Sequence, residues 1–190
     1  RKNIPIKSGL GGGSMNAATL LNYLLDKKII KLSNVQLIRI CKLIGSDVLL
    51  GTKKNLSVLK SSGELLRFDK KLKFYCLLIK PQIGCSTKEI YKGVKSFSAI
   101  KLKSINSKNL NLNFIKLLSN DLEKVAFKKY PSLKYIKKSL ENTGNFNFVR
   151  MTGSGSCIIG YSSSKKSCLN ALKLIKKKYK KHWCVISKAI

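Results

Sequence analysis

Residues 9–14 read Gly-Leu-Gly-Gly-Gly-Ser, and a strong helix former, MNAATLLNYLL, follows at once. The chemistry open to such a junction is anion binding. A helix start exposes unpaired N–H groups and the positive end of the helix dipole. Glycines in front of it let the backbone approach an anion with no Cβ in the way. The segment is not a Walker A loop, because no Gly-Lys-Ser/Thr follows. Nor is it the dinucleotide fingerprint, because Ser14 stands where the last glycine belongs. The plainer alternative is a flexible loop that merely caps a helix.

Acid–base chemistry has few candidates. The carboxylates are Asp26, Asp47, Glu64, Asp69, Glu89, Asp121, Glu123 and Glu141. Most sit among lysines on polar helix faces, where solvated ion pairs are the default reading. Asp47 differs, because it lies between Gly45–Ser46 and the apolar run Val48–Leu50. A cap, a turn former and a base aimed into a cleft all fit that position. A second glycine loop, Thr152, Gly153, Ser154 and Gly155, reads equally as a phosphate-facing loop or a tight strand-to-strand turn. The single histidine, His182, sits beside Trp183 in a basic tail and reads as a surface or partly packed residue. The six cysteines form no CxxC pair, which argues against a zinc site or disulfide framework and for reduced thiols in a cytoplasm.

The elements that must position these groups follow from periodicity and punctuation. Ser14 to about Lys28 predicts a helix, with Ala17, Leu20, Leu21, Leu24 and Leu25 as its apolar stripe. Ser33 with Gln36 predicts a capping box and a second helix. Val35, Leu37, Ile38, Cys41 and Leu43 are expected to form its buried side. SDVLLG is expected to be extended, and the segment around Gly63 a hairpin. KFYCLLIKP reads as a buried strand. STKEIYKGV reads as a helix with a capping box from Ser86 to Glu89. Lys101 to Asn113 reads as a loop. FIKLLSNDLEKVAFKKY and PSLKYIKKSLENTG read as two helices, with Pro131 in the first turn of the second. Strand, glycine loop and strand follow in FNFVRMTGSGSCIIGYS. KKSCLNALKLIKKKY is an amphipathic helix and WCVIS a last strand. This mixture without strict βαβ repetition favours α+β.

The hydrophobic fraction of 44% suits a globular core, and no apolar run approaches the roughly 20 residues that cross a bilayer. The formal net charge of +31 raises nucleic-acid binding as a function. Lysine carries nearly all of it, with arginine only at positions 1, 39, 67 and 150. The lysines are scattered, and bidentate base readout favours arginine. Specific nucleic-acid recognition is therefore not expected. Attraction of phosphorylated small molecules is.

IPIKSGLGGGSMNAATLLNYL closely resembles the second motif of the GHMP kinases, the superfamily of galacto-, homoserine, mevalonate and phosphomevalonate kinases. Its form is most similar to the branch that phosphorylates the 2-hydroxyl of 4-diphosphocytidyl-2-C-methyl-D-erythritol in the non-mevalonate isoprenoid pathway. IGSDV resembles that branch's GADVP, SSGELL its GxGE, and KPQIGCSTKEIY its P…STxxxF/Y. SNDLE resembles its NDLE, and MTGSGSC the third glycine motif. The resemblance implies a two-domain α+β fold. Residues 1–68 would be what this chain carries of an ATP-binding domain like domain two of ribosomal protein S5. Residues 69–190 would be a ferredoxin-like domain, with ATP and substrate meeting in the cleft between.

On the same resemblance, Pro5, Ile6, Lys7, Ser8, Gly9, Leu10, Gly11, Gly12, Gly13, Ser14 and Met15 would wrap the ATP phosphates. The Ser14 hydroxyl would lie near Mg²⁺, and Asp47 would be the catalytic aspartate. Thr87 and Tyr91 would contact substrate, the tyrosine stacking on cytosine. Thr152 to Gly155 would shape the cleft. Two positions depart from the family pattern: Met15 replaces a second serine, and Leu49 the proline after the aspartate. The family's PAKxNL segment has no counterpart, so the chain is expected to be N-terminally incomplete and to lack the lysine that works with the aspartate. A cytoplasmic kinase, monomer or homodimer, is the expected whole. A homoserine or mevalonate kinase is the near alternative, and a basic nucleic-acid-binding protein the remote one.

Overall fold

The structure, a computed structural model, describes residues 3–60, 62–98 and 110–189. It divides into two compact units: one takes the chain up to Leu10 and from Lys71 onward, the other runs Gly11–Lys70.

The Gly11–Lys70 unit holds α1 (Gly12–Asp26), α2 (Asn34–Ile44), a 3₁₀ helix (Val48–Thr52) and an antiparallel hairpin of β1 (Leu56–Leu59) and β2 (Leu65–Phe68). α1 starts two residues earlier than the sequence suggests. Ser33 and Gln36 form the expected capping box: the Ser33 hydroxyl accepts from Gln36 N–H at 3.3 Å, and Gln36 Oε1 accepts from Ser33 N–H at 2.8 Å. The buried side of α2 is narrower than expected. Leu37, Ile40 and Cys41, spaced i, i+3, i+4, face the core, while Val35 and Leu43 are 77% and 79% exposed and Ile38 is exposed as well. SDVLLG is not extended. Val48 N–H reaches the Gly45 carbonyl and Leu50 N–H the Asp47 carbonyl, which closes a tight turn. That turn buries the consecutive residues Val48 and Leu49 against Ala18, Leu21 and Cys41, which an alternating strand could not do.

The other unit is built on one four-stranded antiparallel sheet in the order β4-β5-β3-β6, with β3 (Phe74–Lys80), β4 (Phe148–Met151), β5 (Ile158–Ser162) and β6 (Trp183–Ala189). The helices are α3 (Thr87–Lys92), α4 (Leu112–Leu117), α5 (Leu122–Lys129), α6 (Pro131–Glu141) and α7 (Lys165–Lys178). This is the β-α-β-β-α-β connectivity of a ferredoxin-like fold, elaborated by extra helices. Alternation along β3 decides the layers. Leu77 and Ile79 join Leu133, Ile136, Leu140, Ala171 and Ile175 in the main core. Cys76, with Phe74 and Leu78 beside it, joins Cys157, Ile159 and Leu10 on the opposite face.

Three local expectations change in this unit. Ser86 makes no side-chain cap, and Glu89 reaches Lys129 of α5 instead of turning back, so neither half of the expected capping box forms. The predicted helix from Phe114 to Tyr130 is broken, since Leu118 turns extended and Asn120 directs its side chain away to β4. The predicted loop ends early: the Asn111 side chain accepts from Phe114 N–H at 2.9 Å and starts α4 at Leu112. Residues 101–109 of that loop lie outside the described residues.

Candidate active site

In the Gly11–Lys70 unit the site begins at the start of α1. Gly11, at φ 64°, is its N-cap, and no side chain caps the helix. The first intrahelical bond is Met15 N–H to the Gly11 carbonyl at 2.9 Å, so the amides of Gly12, Gly13 and Ser14 precede it. A methyl group built on Gly11 or Gly13 would meet nothing within 4 Å among the described residues. The backbone here is uncrowded at both glycines, as a close approach by a ligand requires.

The turn before the 3₁₀ helix lies beside this helix start. The Ser14 hydroxyl is 3.8 Å from where a Gly45 Cβ would stand. Asp47 follows on that turn, exposed, with the Ser46 hydroxyl at 3.4 Å from its Oδ1. Its backbone serves the turn and its carboxylate caps nothing. The two departures from the family pattern have structural outlets here. Met15 lays its thioether on Gly51, and Leu49 sinks into the core.

The other unit holds the earlier half of the glycine segment. Lys7 to Gly9 lies along the second glycine loop. Ser156 N–H donates to the Lys7 carbonyl at 3.3 Å, Cys157 N–H to the Ser8 carbonyl at 3.0 Å, and Thr152 Oγ1 to the Gly9 carbonyl at 3.1 Å. Ser8 is buried and donates to the Pro5 carbonyl at 2.8 Å. Ile6 is exposed. Gly9, at φ 71°, is packed so tightly that a Cβ would stand 2.2 Å from the Thr152 carbonyl oxygen.

Thr87 and Ser154 meet, hydroxyl to hydroxyl, at 2.9 Å. Tyr91, 53% exposed, lines a cavity of about 390 Å³ with Phe97, Asn120, Arg150, Thr152 and Gly153. Tyr161 closes one wall, its phenol pushed up to about 12 by burial and therefore neutral. Arg150 lies over the Phe148 ring and donates to the Ile115 and Lys116 carbonyls. Thr87, Tyr91, Thr152, Gly153 and Ser154 are thus brought together within one unit.

Sequence reasoning missed the residues that hold this loop. Asn120 donates to the Met151 and Gly153 carbonyls, and Glu123 accepts from Met151 N–H. Glu123 is largely shielded, not the solvated ion pair expected of it. The NDLE resemblance pointed to the place but not to the roles.

The GHMP kinases N terminal domain family matches residues 1–55, and the GHMP kinases C terminal family matches residues 96–180. A 4-diphosphocytidyl-2-C-methyl-D-erythritol kinase of Pelagibacter ubique (strain HTCC1062) is 49% identical over 189 residues, covering 100% of this chain and 67% of that protein. The chain belongs to the 4-diphosphocytidyl-2-C-methyl-D-erythritol kinase family of the GHMP kinases. A family member from Francisella tularensis subsp. tularensis (strain WY96-3418) is 36% identical, over 97% of this chain and 64% of its own length. The chain spans about two thirds of the length of the curated relatives it matches. A crystal structure of 4-(cytidine 5'-diphospho)-2C-methyl-D-erythritol kinase shares the GHMP kinase fold, with a TM-score of 0.78 at 22% identity, over 98% of this chain and 68% of that one. No helix among the described residues is long and apolar enough to cross a membrane.

Proposed function

We propose that this GHMP kinase transfers the γ-phosphate of ATP to the 2-hydroxyl of 4-diphosphocytidyl-2-C-methyl-D-erythritol in the cytoplasm. The observation that carries the reading is the open, uncapped start of α1 beside the turn that bears Asp47. The amides of Gly11 to Ser14 and the dipole behind them hold the phosphates of ATP, which bring negative charge to the positive end of the helix. Asp47 orients the attacking hydroxyl and accepts its proton, a role worth about 10²–10⁴ in rate. Among the described residues its exposed carboxylate has no lysine partner of the kind that Glu64, Glu89 and Glu123 have, which supports that role.

The residues fit magnesium that arrives with the nucleotide. Among the described residues no cluster of three His, Cys, Asp or Glu could hold an ion unaided. Ser14 would supply a hydroxyl to it, and the phosphate oxygens the remaining charge. The chemistry a bound ion adds is neutralisation of phosphate charge.

The other unit supplies the substrate contacts. Tyr91 stacks the cytosine ring, a contact that any nucleobase face can make. Thr87, hydroxyl to hydroxyl with Ser154, contacts substrate, and the Thr152–Gly155 loop faces the transferred phosphate. The free cysteines suit a reducing compartment.

The test is transfer of labelled γ-phosphate by the protein expressed from its complete reading frame. The cytidylyl substrate, homoserine and mevalonate are offered in parallel. Transfer to the first alone is expected. Preference for either other alcohol would reassign the substrate. RNA binding that survives physiological salt, with no transfer, would overturn the kinase reading.

A further inference from the structure

We infer that Asn120 and Glu123 are positioning residues for phosphoryl transfer: from the start of α5 they hold the Thr152–Gly155 loop by its backbone. The inference rests on the proposal that this loop faces the transferred phosphate. Asn120 uses every polar atom of its side chain. Its amide nitrogen donates to the Met151 carbonyl at 2.9 Å and to the Gly153 carbonyl at 2.8 Å. Its Oδ1 accepts from Leu122 N–H at 3.1 Å, at the first residue of α5. Glu123, one turn on, accepts from Met151 N–H at 2.9 Å through Oε1. Its other oxygen pairs with Lys137 of α6 at 2.8 Å, and both side chains are largely shielded from water.

Met151 is therefore gripped at both its N–H and its carbonyl where β4 runs into the loop, and Gly153 at its carbonyl two residues on. The loop itself is a turn closed by Gly155 N–H on the Thr152 carbonyl at 2.9 Å and leaning on Lys7–Gly9, and Asn120 and Glu123 add the holds at Met151 and Gly153 that join it to α5. Asparagine is the residue type this arrangement requires. Two carbonyl acceptors need two donors, and one helix-start amide needs an acceptor, from the same short side chain. Aspartate, of the same shape, would set a carboxylate oxygen against two carbonyl oxygens. Since a displacement of about 1 Å at a reacting centre costs on the order of 10²-fold in rate, a loosened loop lowers kcat before it lowers affinity.

The experiment compares Asn120→Asp, Asn120→Ala and Glu123→Gln with the parent protein. It reads amide hydrogen exchange across residues 149–157, thermal unfolding, KM for ATP and kcat. Asn120→Asp is expected to speed loop exchange about tenfold, as the loss of two hydrogen bonds implies. Exchange in β3 and β6 should not change. Its kcat should fall about 10²-fold with KM for ATP unmoved. Asn120→Ala, which removes the bonds without the repulsion, should do the same to a smaller degree, and it carries the test if the aspartate variant does not fold. Glu123→Gln keeps an oxygen for Met151 N–H and should lose least.

Unchanged loop exchange in both Asn120 variants would overturn the holding role. Faster exchange with unaltered kcat would overturn the positioning role while leaving the kinase activity in place. Were the parent protein itself inactive, the failure would lie with the proposed function. Loop exchange would still decide whether these residues hold the loop.

Discussion

Gly9 and Gly11 stand two residues apart, share the left-handed region at φ 71° and 64°, and meet opposite surroundings. A Cβ on Gly9 would collide with the Thr152 carbonyl, whereas one on Gly11 would meet open space. The contrast extends to the regions around them. The Lys7–Gly9 segment and the Thr152–Gly155 loop are tied together and backed by Asn120 and Glu123. The start of α1 has no side-chain cap, and the Asp47 carboxylate, exposed, meets only the Ser46 hydroxyl among the described residues. One region is glycine-rich because the chain must pass close to itself; on the proposed function, the other is so because phosphates come close to the chain.

The comparison predicts different kinds of failure. Substitutions in the open region should cost chemistry, and those in the packed region should cost stability. The largest effect is expected at Asp47. Asp47→Asn should lower kcat by about 10²–10⁴ while ATP binding and the thermal midpoint stay as they are. Undiminished turnover would remove Asp47 from the mechanism and leave the open region without its chemical half.

Next is a paired measurement of the two glycines by denaturant unfolding. Gly11→Ala should cost only the strain of a left-handed alanine, about 1–2 kcal/mol. Gly9→Ala adds a backbone collision to the same strain, for roughly 2–5 kcal/mol in all. Gly11→Ala should in addition weaken ATP binding. Equal stability losses would show that the two positions are not differently packed.

This contrast was not legible in the sequence. Glycine spacing shows that a backbone can approach something, but not whether that partner is a ligand or a loop 143 residues away, as it is for Gly9 and Thr152. What could be read was local. The Ser33–Gln36 box and the Gly63 hairpin each depend on neighbours within a few residues, and the β3 strand showed in its short apolar run although its partners are distant. Asp47 stood out by its place next to an apolar run, though its role came from motif resemblance. Periodicity also overreached in α2, because Val35 and Leu43 are apolar without being covered. Apolarity says what a residue can do, and burial depends on elements elsewhere. Asn120 was hidden for the same reason. Its partners lie more than thirty residues away, and nothing in the local sequence distinguishes a loop clamp from a helix cap.

Tyr91 sharpens the comparison from the substrate side. It is exposed and carries little of the packing, so Tyr91→Ala should leave stability nearly unchanged. Loss of base stacking is worth about 1–3 kcal/mol, or about 5- to 150-fold in KM for the cytidylyl substrate. KM for ATP should not move. An unaltered substrate KM would dismiss the stacking role and reduce the cavity to a surface feature.

The smallest effect concerns pH and the packed unit. Asp121 accepts from Ser98 N–H at 2.8 Å and from the Ser98 hydroxyl, which pins the segment carrying Phe97 beside the Tyr91 cavity. Those bonds from Ser98 favour the charged carboxylate and hold it below its ordinary value of 3.8. A carboxyl with a lowered folded-state pKa contributes stability that is present above the unfolded value. That contribution is lost as pH falls through the folded one. Unfolding midpoints taken between about pH 5 and pH 2 should therefore drop in the parent protein and drop less in Asp121→Asn. Glu89, lowered by Lys129, contributes to the same acid slope in both proteins, so only the difference between them belongs to Asp121. Exposure to solvent keeps that difference small. If parent and variant fall together, the Ser98 bonds exert no net pull on the carboxylate, and the Phe97 segment is held by packing alone.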